Sequence, residues 1–120
     1  METTLYDATG KPRAYIADDN DNAIYTWDGR AVAYIDGGNV YGWKGRHLGW
    51  LSDGIVYDIN GSPIGFTADR SPHVPHVEPV KNVKHVKHVK HVKHVPTVRP
   101  VFSLSPSNGD LLQFISQDAP

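Results

Sequence analysis

Cysteine is absent from the 120 residues, which removes both a disulfide framework and thiolate metal sites, two usual supports of a small fold. Nowhere do about 18 apolar residues run together, so no helical membrane span is encoded. The opening METTLYDATG has no basic region followed by an apolar run; it does not read as a secretory leader, and the cytoplasm is the expected location. A dominant charge is missing too, since the formal net charge is -1. The two parts of the chain nevertheless differ in sign. Residues 1–70 carry six Lys/Arg against ten Asp/Glu, whereas residues 71–120 carry six against three, along with six of the seven histidines. Acidification makes the second part still more positive.

What is present is repetition. LYDATGKPRAYI from Leu5, IYTWDGRAVAYI from Ile24, VYGWKGRHLGWL from Val40 and VYDINGSPIGFT from Val56 are four versions of one phrase. Each sets a Tyr four residues before a Gly and an aromatic five after it. In the second version two runs rich in β-branched and aromatic residues flank Asp28-Gly29, which predicts a hairpin with a two-residue type I′ turn. Thr9-Gly10, Lys44-Gly45 and Asn60-Gly61 fill the same place. Pairing outward from such a turn sets Trp27 against Arg30, Tyr25 against Val32 and Ile24 against Ala33. The tyrosines then share one face. Leu5, Ile24, Val40 and Val56 share the other with the small residues Ala14, Ala33, Gly49 and Gly65, where backbones are expected to crowd.

A lone hairpin is marginal in water, so the four must pack together, and their short links favour sequential neighbours in a ring. The expected fold is all-β: four sequential antiparallel hairpins in a pseudo-fourfold, flower- or propeller-like arrangement over residues 1–70, with repeats at 5–16, 24–35, 40–51 and 56–67. The Tyr-x-x-x-Gly phrase, GRHLGW from Gly45 to Trp50, and a Pro/Lys/Val-rich stretch ending around PVFSLS together resemble the 4-fold beta flower proteins, small bacterial proteins named for four hairpin petals around an axis. The resemblance implies a fold and supplies no mechanism.

Residues 71–101 change to triplets centred on Val, with HVK three times in succession. Period three matches neither strand nor α-helix but suits polyproline II, so a disordered or polyproline-like linker is expected. Residues 102–120 hold a turn at Asn108-Gly109 and then DLLQFIS, a short helical segment whose Leu111, Leu112, Phe114 and Ile115 are available to dock.

Candidate sites are few. His85, His88, His91 and His94 recur every third residue, but polyproline II spaces such residues about 9 Å apart, too far to share one ion, so only adventitious metal binding is expected. The lysines among them could attract a polyanion without sequence specificity, yet no aromatics interleave to stack on bases, and a spacer lying against its own acidic domain is the better reading. Trp43, Arg46, His47 and Trp50, with Trp27 and Arg30, form the richest recognition set; cation–π contact of Trp43 with Arg46 and of Trp27 with Arg30 is expected, with His47 on the opposite face. Asp7 and Asp58, at equivalent positions, read as caps on the local backbone rather than as a catalytic pair. No nucleophile-base set, carboxylate cleft or metal centre can be assembled, so neither enzymatic activity nor a cofactor is expected. The expected function is a structural or protein-interaction module, self-associating or bound to another protein, without specific nucleic acid or a membrane span. Binding of a small sugar or amine in the aromatic groove or at the axis is the rival reading, and polyanion binding a weaker one.

Overall fold

The computed structural model describes residues 2–120. Eight strands, β1 (Thr3–Tyr6), β2 (Pro12–Ile16), β3 (Ala23–Thr26), β4 (Ala31–Asp36), β5 (Asn39–Gly42), β6 (His47–Ser52), β7 (Ile55–Tyr57) and β8 (Pro63–Phe66), pair antiparallel in chain order and close into a barrel. The closure rests on one pair, Tyr6 with Phe66. A single 3-10 turn (Ala68–Arg70) follows, and a short helix, α1 (Leu111–Ser116), lies near the end of the chain. Closure matters for so short a set of strands, because it leaves no open edge to recruit another chain.

The turn inside each repeat differs from the expected two-residue bend. In the second repeat the Gly29 amide donates to Thr26 O at 3.0 Å and the Thr26 amide to Arg30 O at 2.9 Å. Three residues, Trp27-Asp28-Gly29, therefore lie between the closing pair: a type I turn followed by a bulged glycine in the left-handed region, with Gly29 at φ 91. The same two bonds recur around Gly10, Gly45 and Gly61. Type I′ turns do occur, but between repeats: Gly37-Gly38 (φ 59 and 80) joins β4 to β5, and Asp53-Gly54 (φ 52 and 78) joins β6 to β7.

The bulge has a consequence for every residue beyond it. Ile24 does face Ala33, but past the shift Tyr25 faces Ala31 rather than Val32, and Tyr41 faces His47. A one-residue slip exchanges faces, since side chains alternate along a strand. His47 consequently joins the tyrosine face, and Trp27 and Trp43 no longer stand opposite Arg30 and Arg46.

Inside the barrel, Leu5, Ala14, Ile24, Ala33, Val40 and Val56 meet Val32, Leu48 and Ile64 and the helix residues Leu111, Phe114 and Ile115. The short helix thus completes the core of its own barrel. Leu112 packs at the margin. The small residues make room for it: a methyl on Gly65 would come 2.8 Å from Leu111 Cδ1, and one on Gly49 would come 3.2 Å from Phe114 Cζ and 2.0 Å from Tyr57 O. Asp110 caps the helix by accepting the Gln113 amide at 2.9 Å and pairs with Arg13 at 3.2 Å, which pins the helix entrance to β2. Burying a Leu or Ile in this way is worth about 1.5–3 kcal/mol each.

Candidate functional site

The outer face of the barrel is aromatic. Tyr15 stacks on Tyr25 with centroids 5.6 Å apart, Tyr34 on Tyr41 at 5.5 Å, and Trp43 meets Tyr34 edge-on at 5.7 Å. These rings are buried despite facing outward, because the stretch from Lys81 to Phe102 lies over them. The segment is not disordered but laid along the barrel, against the acidic part of its own chain as its lysines suggest. Its amides reach the repeat turns in sequence: His76 donates to Gly10 O, His85 to Gly29 O, His94 to Gly45 O and Ser103 to Gly61 O, nine residues apart each time. Asn82 and His91 add bonds to Trp27 O and Trp43 O.

This spacing explains the triplet sequence. The bonding amides of His76, Asn82, His85, His91 and His94 all belong to residues that precede a Val in the triplets, the Val itself points away, and the residue after it faces the rings. The phase is that of polyproline II, three residues per turn. Close approach also requires glycine at the turns: a methyl on Gly29 or Gly45 would sit 2.2 Å from the carbonyl oxygen of Val83 or Val92.

The inward residues are mostly lysines. Lys81 lies 4.8 Å from the Tyr15 centroid, Lys84 5.4 Å from Tyr25 and Lys90 4.3 Å from Tyr34. Their ammonium groups also meet carboxylates: Lys81 and Lys84 pair with Glu2 at 3.0 and 2.6 Å, Lys87 with Asp19 at 3.1 Å and Asp21 at 2.7 Å, Lys90 with Asp21 at 2.7 Å, and Lys93 with Asp36. Apart from those of the exposed Lys93, each half-exposed pair is worth about 0–1 kcal/mol and each cation–π contact about 0.5–2 kcal/mol. Only the run as a whole is a strong tether. Hydrogen bonds from Lys87 and Lys90 hold Asp21 below the usual carboxylate range, while burial pushes the Tyr34 hydroxyl up to about 12.

The last quarter uses aromatic contacts instead. Phe102, at the inward position, stacks on Tyr57 with centroids 3.8 Å apart and lies 5.9 Å from Trp50, with Arg99 over its outer face at 4.4 Å. His47 is the anchor beside them. It is 6% exposed, 5.4 Å from Tyr41 and 4.9 Å from Trp50. The Thr97 amide donates to its Nδ1 at 3.1 Å, which leaves the proton on Nε2, 3.1 Å from Asn39 Oδ1. Burial pushes its pKa down, in keeping with a ring whose second nitrogen must stay an acceptor.

The six recognition candidates are therefore dispersed. Trp43 lies under the laid segment, its Nε1 donating to His88 O at 2.7 Å, and Trp50 lies under Phe102. Trp27 donates to Pro12 O at 3.0 Å and, with Arg30, lines a cleft of about 670 Å³. Arg46 and His47 border a separate recess of about 170 Å³. The cations over the rings are the lysines and Arg99, not Arg30 and Arg46. His85, His88, His91 and His94 lie along the exposed side of the segment, and among the described residues no group of three or more His, Asp or Glu is gathered to hold a metal.

Asp7 and Asp58 behave as caps. Asp7 Oδ1 accepts the Thr9 and Lys11 amides, and Asp58 Oδ1 those of Asn60 and Ser62. In the second repeat Asp28 plays this part for the Arg30 amide. The third repeat has Gly42 and Lys44 at the corresponding positions, and Asp118 supplies the carboxylate from the far end of the chain, accepting the Arg46 amide at 3.0 Å. The sequence repeat hides this, because the missing acid lies 72 residues from its amide in the chain.

Taken together, these features define a small closed antiparallel barrel, filled by its own helix and wrapped by its own polar segment. The sequence model of the 4-fold beta flower protein family matches residues 3–115, and the chain belongs to that family. Neither curated proteins nor solved structures yield a significant match. Among the described residues no helix is long and apolar enough to cross a membrane.

Proposed function

We propose that the chain is a non-enzymatic structural and protein-interaction module, built as four like quarters about a pseudo-fourfold axis, which self-associates through the valines of its wrapping segment. The quarters are supported by the register shift common to all four repeats and by the nine-residue step from turn to turn.

One observation carries the interaction reading. The ten valines from Val74 to Val101 in the triplets are 85–94% exposed, in a row that follows the segment around the barrel. Single exposed valines are ordinary; an unbroken series of ten is the kind of apolar surface that another protein covers. A second copy is the simplest partner, since it brings an identical row. Two further readings are less well supported. The lysines are turned toward carboxylates and rings, which leaves little free charge for a polyanion, and the Trp43 groove is already filled.

Sedimentation velocity over a concentration series tests the reading. The wild-type chain should grow in mass with concentration, and V83S/V86S/V89S/V92S should stay a monomer with unchanged circular dichroism. A wild type that remains monomeric throughout, or a variant that assembles equally well, rules out the valine surface.

A further inference from the structure

The cleft of about 670 Å³ lies where three parts of the chain meet: the turn between β3 and β4, the segment around His85 and His88, and the helical end of the chain. Its volume falls within the few hundred to about 1,000 Å³ typical of small-molecule sites. Apolar lining comes from Trp27, Ala31, Val32, Val86, Leu112 and Ala119. The charged lining is mainly cationic, with Arg13, Arg30 and Lys87 against Asp28.

Two of the three cations are already engaged. Arg13 pairs with Asp110 through one terminal nitrogen and approaches Asp7 at 3.5 Å with a buried Nε that makes no hydrogen bond among the described residues, and Lys87 meets Asp19 and Asp21. Arg30 differs: it touches Asp28 only through Nε, at 3.5 Å, and its side chain is 70% exposed. Neither terminal nitrogen has a partner among the described residues, so the end that forms bidentate bonds with a carboxylate is available. His85 and His88 on the same rim can add ring N–H donors.

We propose that this cleft is a binding site for a small planar aromatic carboxylate, its ring against the Trp27 side of the apolar lining and its carboxylate on the Arg30 guanidinium. The combination selects the ligand class. A quaternary amine would meet the cationic rim, and a sugar would leave the apolar lining without a matching surface. The site shares only Val86 with the valine row, and R30Q alters none of the valines, so the two proposals can fail separately.

Titration of the full chain with 2-naphthoate, followed by amide chemical shifts, tests the proposal, with 2-naphthylmethanol as the neutral counterpart. Saturable shifts centred on Trp27, Ala31, Leu112 and Ala119 are expected, with naphthoate bound about tenfold more tightly than the alcohol, the loss expected for one charge-assisted contact. R30Q, altered at an exposed side chain, should keep the wild-type spectrum and lose that preference. A119W, which fills the cleft, should abolish the shifts. Shifts that do not saturate, equal affinity for the alcohol, or undiminished naphthoate binding by R30Q overturns the proposal.

Discussion

The barrel strands and the segment wrapped around them solve the same problem by different chemistry. Strand residues use backbone ladders and place alternate side chains in a core shared with α1. The segment contributes nothing to that core. It bonds through a minority of its amides, holds the outer tyrosines with lysine and Phe102, and leaves its valines in solvent. The difference teaches that order in this chain has two sources: apolar burial sets global stability, and a periodic polar tether fixes the surface without adding much to it.

Substitutions in α1 should break the comparison most severely. Leu111→Ala or Ile115→Ala opens a cavity beside Gly65 or in the barrel interior and should cost about 2–5 kcal/mol in denaturant unfolding. Trp43→Phe, which keeps one aromatic ring but removes the bond to His88 O and half of a buried indole, should cost about 1–3 kcal/mol and raise exchange of the His91 amide. His47 gives a pH test. Its pKa is lowered in the folded chain, so the unfolded chain binds the extra proton first; stability should be complete above the ordinary histidine range and decline as pH falls from about 6.5 toward the folded value. The wild type should lose this part of its pH slope in His47→Gln. Smallest of all, Lys87→Ala should change global stability by less than about 1 kcal/mol while loosening the segment locally, seen as faster exchange at His85 and His91. A Lys87→Ala loss comparable with that of Ile115→Ala would erase the distinction between core and tether.

Much of the barrel was legible because the repeat phrase carries its own turn glycine and alternation. The tyrosine set and the inward branched residues follow from that pattern, and the docking of Leu111, Phe114 and Ile115 from the apolar run after the Asn108-Gly109 turn. Turn type was not legible: Asp28-Gly29 suits a two-residue type I′ bend and a three-residue bulged loop alike, and only the pairing of Tyr25 with Ala31 distinguishes them. That one residue moved His47 to the aromatic face. The path of the segment was legible only in part, for a related reason. Polyproline-like chain has no internal hydrogen bonds, so nothing local says whether its amides meet water or a barrel. The opposite charges of the two parts of the chain were the available signal, and the three triplets per turn were the second. The cleft at Trp27 and Arg30 combines residues from distant stretches, which no local pattern joins.

Hydrogen exchange resolved at single amides across residues 71–104 addresses the wrapping segment directly. Protection should rise at His76, Asn82, His85, His91 and His94 and at Ser103, with Val83, Val86, Val89 and Val92 exchanging freely between them. Uniformly fast exchange across the whole stretch would contradict the account, leaving the barrel without its wrap.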